Sequence, residues 1–148
     1  MTPVPLDDRL SVAAQLGVAD LARVAALGFR QVIGNRPDGE AIDQPDAASL
    51  AAEARRLGLA FVHLPVVASA IDDADVAAFA AALAGSAGPT LAFCRTGTRS
   101  ATLWALAEAG RRPAEALLGA AARAGYELAA LRPRLDAAAA RFAAARDA

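Results

Sequence analysis

The sequence predicts an α/β fold in three layers, with helices flanking a mostly parallel central sheet of four to five strands. Short apolar segments of strand length alternate with helical patterns of about ten or more residues, as in βαβ units. Glycines recur where the helical patterns end, at Gly28, Gly58, Gly85, Gly110 and Gly125. The 148 residues suit a single domain, 1–148, and the 56% that are hydrophobic are enough for one core.

The N-terminal part predicts two strands and two helices. Leu10–Gln15 is interpreted as an edge strand, and Phe29–Gly34 as a second strand candidate. Asp20 is a suitable N-cap for the first helix. Asn35–Glu40 reads as a loop because its Pro-Asp-Gly segment is a turn sequence. The second helix runs roughly over Asp46–Leu57.

The middle of the chain leads to its one cysteine. The strand Ala60–Leu64 stops before a proline, and the next helix begins at Asp72 or Asp73, both suitable N-caps. Apolar residues of this helix recur at the spacing of a buried face. Cys94 directly follows the strand Thr90–Phe93.

The C-terminal part is predicted to be helical. One helix follows the cysteine loop over about residues 100–109, and a second covers about 113–124. A C-terminal helical segment covers about 127–146, and Pro133 is expected to kink or split it.

Composition narrows the function classes. A net charge of −1 and a sequence pI of about 5.8 predict neither nucleic acid nor a membrane as partner. One cysteine and one histidine allow no intrachain disulfide or multi-cysteine metal site, so no metal or cofactor is expected. The N-terminus has no signal-peptide pattern and no apolar run approaches about 18 residues, which predicts a cytoplasmic protein of unspecified oligomeric state.

The strongest motif is the strand–loop–helix segment that begins with Cys94. A loop entering a helix aims backbone N–H groups at one point, where the helix dipole favours a thiolate. Gly97 permits a backbone conformation that other residues avoid, Arg99 can hold two oxygens of an oxyanion, and Ser100 can cap the helix and donate to the thiolate. The predicted nucleophile is therefore Cys94 with Arg99 as its catalytic partner. The predicted oxyanion-binding loop contains Arg95, Thr96, Gly97, Thr98, Arg99 and Ser100.

Several of these residues also have a purely structural interpretation. A lone cysteine is more often a small buried hydrophobic residue, but the setting of Cys94 between a strand and a helix, with two arginines nearby, favours the nucleophile. His63 is expected to be a core histidine, Arg95 a charge on the rim, and Trp104 a core residue rather than a substrate platform.

Five segments carry a resemblance to a known family, and the resemblance extends over roughly residues 10–135. They are Asn35–Glu40, His63–Val66, Gly88–Ser100, Leu103–Leu106 and Ala124–Tyr126. On these residues the chain resembles the phosphatase-like domain of the beta-lactamase-hydrolase-like proteins, a bacterial family also described as sulfur transferases. The resemblance implies a fold similar to the dual-specificity (protein tyrosine) phosphatases. It also implies work on sulfane sulfur and a persulfide dioxygenase-type partner, since some relatives carry such a domain.

The chain departs from the phosphatase pattern at three points, of which the shorter loop and the missing acid favour sulfur transfer. Protein tyrosine phosphatases have His-Cys, five residues and then Arg, whereas this chain has Phe93 before the cysteine and four residues between Cys94 and Arg99. The shorter loop resembles that of rhodanese-type sulfurtransferases. The loop Pro65–Ala70, where such phosphatases carry their acid, has no carboxylate. We therefore predict a sulfurtransferase that forms a Cys94 persulfide, with small sulfur donors and thiol acceptors as partners.

Two alternatives remain open. The first is a phosphatase that forms a phosphocysteine on a phosphoester, for which Asp38, Asp72 and Asp73 are the general-acid candidates, although the last two also read as helix caps. Arg36 would be either a second oxyanion contact or a brace that pairs with Asp38 and Glu40. The second alternative is a non-catalytic module that binds an anion or a partner protein.

Overall fold

The central sheet has five strands in the computed structural model, which describes residues 1–147. They are β1 (Val4–Pro5), β2 (Leu10–Ala13), β3 (Gln31–Gly34), β4 (Ala60–His63) and β5 (Thr90–Phe93), in the order β1-β2-β5-β3-β4. Only β1 runs antiparallel to its neighbour, and the other three pairings are parallel. The predicted mostly parallel α/β sheet is confirmed.

Six helices flank this sheet in two layers. They are α1 (Leu21–Ala26), α2 (Ala47–Arg56), α3 (Asp73–Ala84), α4 (Thr98–Glu108), α5 (Ala114–Arg123) and α6 (Arg132–Asp147). Buried residues of α1 and α2 belong to one core cluster, and those of α3 to α6 belong to the other. Because successive side chains of a strand point to opposite faces, Val32 joins the first cluster and Ile33 joins the second.

The strand predicted at the edge lies inside the sheet. β2 ends at Ala13 and is paired on both sides, with β5 and with the short β1. A tight turn brings β1 back onto β2, and Asp7 stabilises this turn by accepting hydrogen bonds from the backbone N–H groups of Arg9 and Leu10, both at 2.8 Å. The edge strand was missed because two residues, one of them proline, carry no strand pattern.

The C-terminal segment predicted over about 127–146 is divided next to Pro133 and not kinked there. A short 3-10 helix covers Ala129–Leu131, and α6 begins at Arg132 and continues to Asp147. Pro133 therefore lies in the first turn of α6. The N–H groups of a first turn have no partner within their helix, so a proline there breaks no hydrogen bond.

Trp104 is the largest fully buried side chain, as its position on α4 predicted. Its indole N–H donates to a carboxylate oxygen of Asp7 at 2.8 Å. The same carboxylate receives a longer contact of 3.4 Å from Arg112. The hydrogen bond between Trp104 and Asp7 ties α4 to the β1–β2 turn. None of the helices within residues 1–147 has both the length and the apolar character needed to cross a bilayer.

Candidate active site

The candidate site lies where the parallel strands end. The carboxyl ends of parallel strands meet at one edge of a sheet, where ligands commonly bind in open α/β folds. Three backbone hydrogen bonds join the segments that leave this edge. Asn35 donates to Phe93 at 2.8 Å, Val66 donates to Asn35 at 3.0 Å, and Gln15 donates to Arg95 at 3.2 Å.

Cys94 lies at the base of the loop between β5 and α4, which we call the Cys94 loop (residues 94–99). Its side chain is buried, and its Sγ accepts a hydrogen bond of 3.1 Å from the backbone N–H of Gly97. Gly97 precedes α4 and has a φ of 97°, which few other residues adopt. No side chain caps α4, so the first N–H groups of this helix face the loop without competition from a cap.

Ser100 does not have the contacts predicted for it. Its hydroxyl is buried and donates to Asn35 Oδ1 at 2.8 Å, so it neither caps α4 nor donates to Cys94 in this structure. Asn35, itself fully buried, donates through its Nδ2 to the carbonyl oxygen of Leu64 at 2.9 Å. The Ser100–Asn35 pair therefore holds α4 against the ends of β3 and β4.

Arg99 is held in place by two groups from other loops. Its Nη1 and Nη2 donate to the two carboxylate oxygens of Glu40 at 2.7 and 2.8 Å, and Nη1 also donates to the Val66 carbonyl oxygen at 3.0 Å. These bonds use three of the five N–H groups of a guanidinium. The Nε–H and the second N–H of Nη2 have no partner within residues 1–147. They lie side by side on one edge, which is the geometry that binds two oxygens of an oxyanion.

Charge links Arg99 to both the carboxylate and the thiol. The hydrogen bond to Glu40 raises the pKa of Arg99, and the charge of Cys94 raises it further, against the effect of burial. Glu40 in turn has its pKa lowered to about 2, chiefly by the hydrogen bond from Arg99 and also by Arg36. Both partners therefore stay charged at neutral pH.

Arg36 braces the loop that carries Glu40. Its Nε donates to Glu40 Oε1 at 2.9 Å and its Nη1 donates to Gln15 Oε1 at 3.1 Å. The side chain is buried. Of the two interpretations given to Arg36, these contacts favour the brace.

The three aspartates considered as general acids all have contacts outside the Cys94 loop. Asp38 accepts from the backbone N–H of Ala47 at 2.9 Å. Asp72 is the N-cap of α3. Asp73 lies 3.8 and 3.6 Å from arginines of α6. Within residues 1–147, the hydrogen bonds and ion pairs of these carboxylates include none to the loop.

Phe93, which stands where phosphatases have a histidine, packs in the core. Its ring centroid lies 6.5 Å from that of Phe61. A Cβ on Gly34 would approach these rings to 3.1 and 3.2 Å, so the glycine leaves them the space they occupy. His63 is half-buried, with its Nε2 at 3.0 Å from the Arg36 carbonyl oxygen, so one ring nitrogen is satisfied.

The rim of the loop is formed by the exposed residues Arg95, Thr96 and Thr98. Tyr126, from the connection between α5 and α6, reaches this rim and donates its hydroxyl to the Thr96 carbonyl oxygen at 3.1 Å. The sequence alone did not predict that Tyr126, Asn35 and Glu40 contact the Cys94 loop or the residue that follows it. Their positions in the segments that carry the family resemblance were the available signal.

A cysteine at the end of a parallel strand, beside an uncapped helix and an arginine, places this chain in the class of phosphatase-like α/β domains. The chain belongs to the family described as the phosphatase-like domain of beta-lactamase hydrolase-like protein, whose family model matches residues 5–111. A relative from Xylella fastidiosa (strain Temecula1), named beta-lactamase hydrolase-like protein, is 39% identical over 108 residues. The match covers 73% of this chain but spans only 25% of that relative.

Solved structures show the same fold. A crystal structure of a candidate phosphatase from Neisseria meningitidis Z2491 is 38% identical, with a TM-score of 0.83, and the match covers 91% of this chain and 96% of that one. PTPMT1 is 17% identical with a TM-score of 0.73, and 99% of each chain is covered. The second likeness concerns the fold alone. Together they confirm the expected similarity of fold to the dual-specificity and protein tyrosine phosphatases.

Proposed function

We propose that this chain is a cysteine-dependent phosphatase that acts through Cys94. One observation carries the proposal: the N–H of Gly97 donates to the sulfur of Cys94 at the uncapped N-terminus of α4, and Arg99 lies in the first turn of that helix. Donors arranged in this way stabilise a thiolate, and they also stabilise the charge of a phosphoryl group that is transferred to it.

The proposed reaction has two steps. The Cys94 thiolate attacks phosphorus, so that an S–P bond forms while the ester P–O bond breaks, and the leaving oxygen departs as an anion that takes a proton from solvent water. A water molecule then attacks the phosphocysteine, the S–P bond breaks, and inorganic phosphate leaves with the thiolate restored. The free edge of Arg99 would hold two phosphoryl oxygens in both steps, while Glu40 keeps the guanidinium in place.

The contacts of the aspartates narrow the class of substrate. None of Asp38, Asp72 and Asp73 has a described contact to the Cys94 loop. Glu40 does reach the loop, but its lowered pKa of about 2 keeps it a carboxylate. We therefore infer that no carboxylic acid protonates the leaving oxygen. A leaving group that is already a stable anion needs such help least. We therefore propose aryl phosphates, rather than alkyl phosphates, as the substrates.

The comparisons favour this alternative over the predicted sulfur transfer. The family model is phosphatase-like, and the relative of known structure at 38% identity is described as a candidate phosphatase. Sulfur transfer through a Cys94 persulfide is the second candidate, because the four-residue interval between Cys94 and Arg99 favours it. The persulfide dioxygenase-type partner remains a prediction. The same holds for any activity of the longer relatives, of which this chain spans about a quarter.

The deciding experiment compares initial rates of the full chain on p-nitrophenyl phosphate and on thiosulfate with cyanide. The Cys94→Ser variant accompanies each assay, and mass spectrometry after rapid quenching follows the mass added to the protein. The Arg99→Lys variant is the second control, because it keeps the charge but loses the planar fork.

A phosphatase rate that exceeds the sulfur-transfer rate, with a phosphoryl adduct on Cys94, supports the proposal. A larger sulfur-transfer rate with a persulfide adduct would reverse the two candidates. Anion binding without any Cys94-dependent turnover would leave the non-catalytic module as the function. Full activity of Arg99→Lys would contradict the assignment of Arg99 to oxyanion binding.

A further inference from the structure

Tyr126 and Cys94 contact opposite ends of the same peptide unit. The Tyr126 hydroxyl donates to the carbonyl oxygen of Thr96 at 3.1 Å, and the next atom along the chain, the nitrogen of Gly97, donates to Cys94 Sγ at 3.1 Å. In a trans peptide the C=O and the N–H point in opposite directions. Holding the carbonyl outward therefore aims the N–H inward, at the sulfur.

The Thr96–Gly97 peptide can rotate unless another contact holds it. Glycine adopts positive and negative φ with similar ease, so the 97° of Gly97 does not by itself keep the peptide in place. Rotation by half a turn would direct the Thr96 carbonyl oxygen toward Cys94. A carbonyl oxygen repels a thiolate and a bound oxyanion, whereas an N–H stabilises both.

Tyr126 also closes the space above Gly97. A Cβ on Gly97 would lie 2.2 Å from the Tyr126 hydroxyl oxygen and 2.8 Å from the ring carbon that carries it. The tyrosine is half-buried, and its pKa is raised by burial and by the charge of Cys94. Its hydroxyl consequently keeps its proton at neutral pH and remains a donor.

We propose that Tyr126 is a positioning residue, which sets the orientation of the Thr96–Gly97 peptide and so directs an oxyanion-binding N–H at Cys94. It acts through the peptide and needs no contact with substrate. The proposal rests on the proposed function for its effect on phosphatase turnover. Its effect on the reactivity of Cys94 toward anions stands without that function.

The test uses Tyr126→Phe in the full chain, since phenylalanine keeps the ring and removes the hydroxyl. Cys94 is alkylated with iodoacetate, which is an anion, and with iodoacetamide, which is its neutral analogue. We expect the ratio of the iodoacetate rate to the iodoacetamide rate to fall about tenfold. This factor corresponds to the free energy of one hydrogen bond to a charged group. Protection of Cys94 by inorganic phosphate should weaken by a similar factor. Glu127→Gln, a change of the neighbouring exposed residue, should alter neither value.

Thermal unfolding and kcat/KM on p-nitrophenyl phosphate complete the design. A folded Tyr126→Phe protein with a reduced alkylation ratio supports the proposal, and kcat/KM should then fall about tenfold as well. An unchanged ratio, or a loss of thermal stability alone, would overturn it. A loss confined to esters of weakly acidic alcohols would also overturn it, because it would make Tyr126 a proton donor. If the unmodified chain hydrolyses no phosphate ester, the proposed function fails while the alkylation ratio still decides the role of Tyr126.

Discussion

Arg99 and Glu40 form two parallel hydrogen bonds, of 2.7 and 2.8 Å, although they lie 59 residues apart in the chain. The carboxylate holds the guanidinium by one edge and leaves a second edge unoccupied. Arg36 supports the same carboxylate from behind. The position of Arg99, which we propose binds the oxyanion, is thus determined by the loop after β3 as well as by the Cys94 loop.

Replacing Glu40 should weaken phosphatase activity without unfolding the protein. In Glu40→Gln the charged pair is lost, so Arg99 keeps only the Val66 carbonyl oxygen as a described partner. We expect kcat/KM on an aryl phosphate to fall about tenfold at neutral pH, in line with one hydrogen bond between charged groups. Asp43→Asn, which neutralises an exposed carboxylate of the same loop, is the control and should stay within about twofold. Equal losses in both variants would show that the net charge of the loop matters, not the Arg99–Glu40 pair.

The same pair predicts how stability changes in acid. The pKa of Glu40 is lowered from 4.5 to about 2 in the folded protein, so the unfolded state binds this proton first. Its contribution is therefore complete above about pH 4.5 and is lost as the pH falls from there through about 2. Urea unfolding between about pH 6 and 2 should show a steeper loss for the unmodified chain than for Glu40→Gln. Parallel curves would contradict the pairing.

Gly97→Ala should impair the protein more than a matched change elsewhere. Gly28 has almost the same φ, 96° against 97°, but a Cβ there would meet no atom within 4 Å. Each alanine carries a backbone cost of about 1–2 kcal/mol from the positive φ. Only Gly97→Ala also displaces Tyr126. We expect Gly28→Ala to lose stability but keep activity, and Gly97→Ala to lose both. Similar activity of the two variants would exclude a steric role for the Gly97–Tyr126 contact.

The leaving group should govern the rate of ester hydrolysis. Without a positioned carboxylic acid, log kcat/KM should fall steeply as the pKa of the leaving alcohol rises across a series of aryl and alkyl phosphates. Asp38→Asn, Asp72→Asn and Asp73→Asn should each change the rate by less than about threefold, whereas a true general acid contributes about 10²–10⁴-fold. A flat dependence, together with a large loss in one variant, would identify that aspartate as the acid.

Ser100→Ala tests the buried contact behind the loop. The change leaves Asn35 Oδ1 in the core without the hydroxyl that donates to it at 2.8 Å. An unsatisfied buried acceptor costs about 1–3 kcal/mol, so the free energy of unfolding in urea should fall by that amount. Ser69→Ala, in an exposed turn, should change it by less than about 0.5 kcal/mol. An equally stable Ser100→Ala protein would show that water replaces the hydroxyl.

Local patterns predicted most of the fold. Each of the three apolar segments predicted after Gly28 contains a parallel strand. Asp46 and Asp72 cap the helices that they precede. The short β1 could not be predicted from the sequence, because a strand of two residues shows no periodicity. The last α-helix begins five positions later than the predicted segment, at Arg132, because the residues before it form a short 3-10 helix and proline is tolerated only in the first turn of an α-helix.

The residues of the candidate site also fall into two groups, those that local sequence patterns predict and those that they do not. Cys94, Gly97 and Arg99 lie in one continuous segment whose chemistry follows from a strand, a loop and a helix, so sequence reasoning could select them. Glu40 and Tyr126 meet this segment across 59 and 30 residues of chain, and no local pattern encodes such contacts. Ser100 was misassigned for a related reason, since its partner Asn35 lies 65 residues earlier.

The contact between Tyr126 and Thr96 also has a consequence for local opening of the fold. On our proposal Tyr126 fixes the Thr96–Gly97 peptide, and it comes from the α5–α6 connection rather than from the sheet. Opening of that connection would release the peptide while the sheet stays intact. Amide exchange at Gly97 should therefore follow local opening of the α5–α6 connection rather than global unfolding.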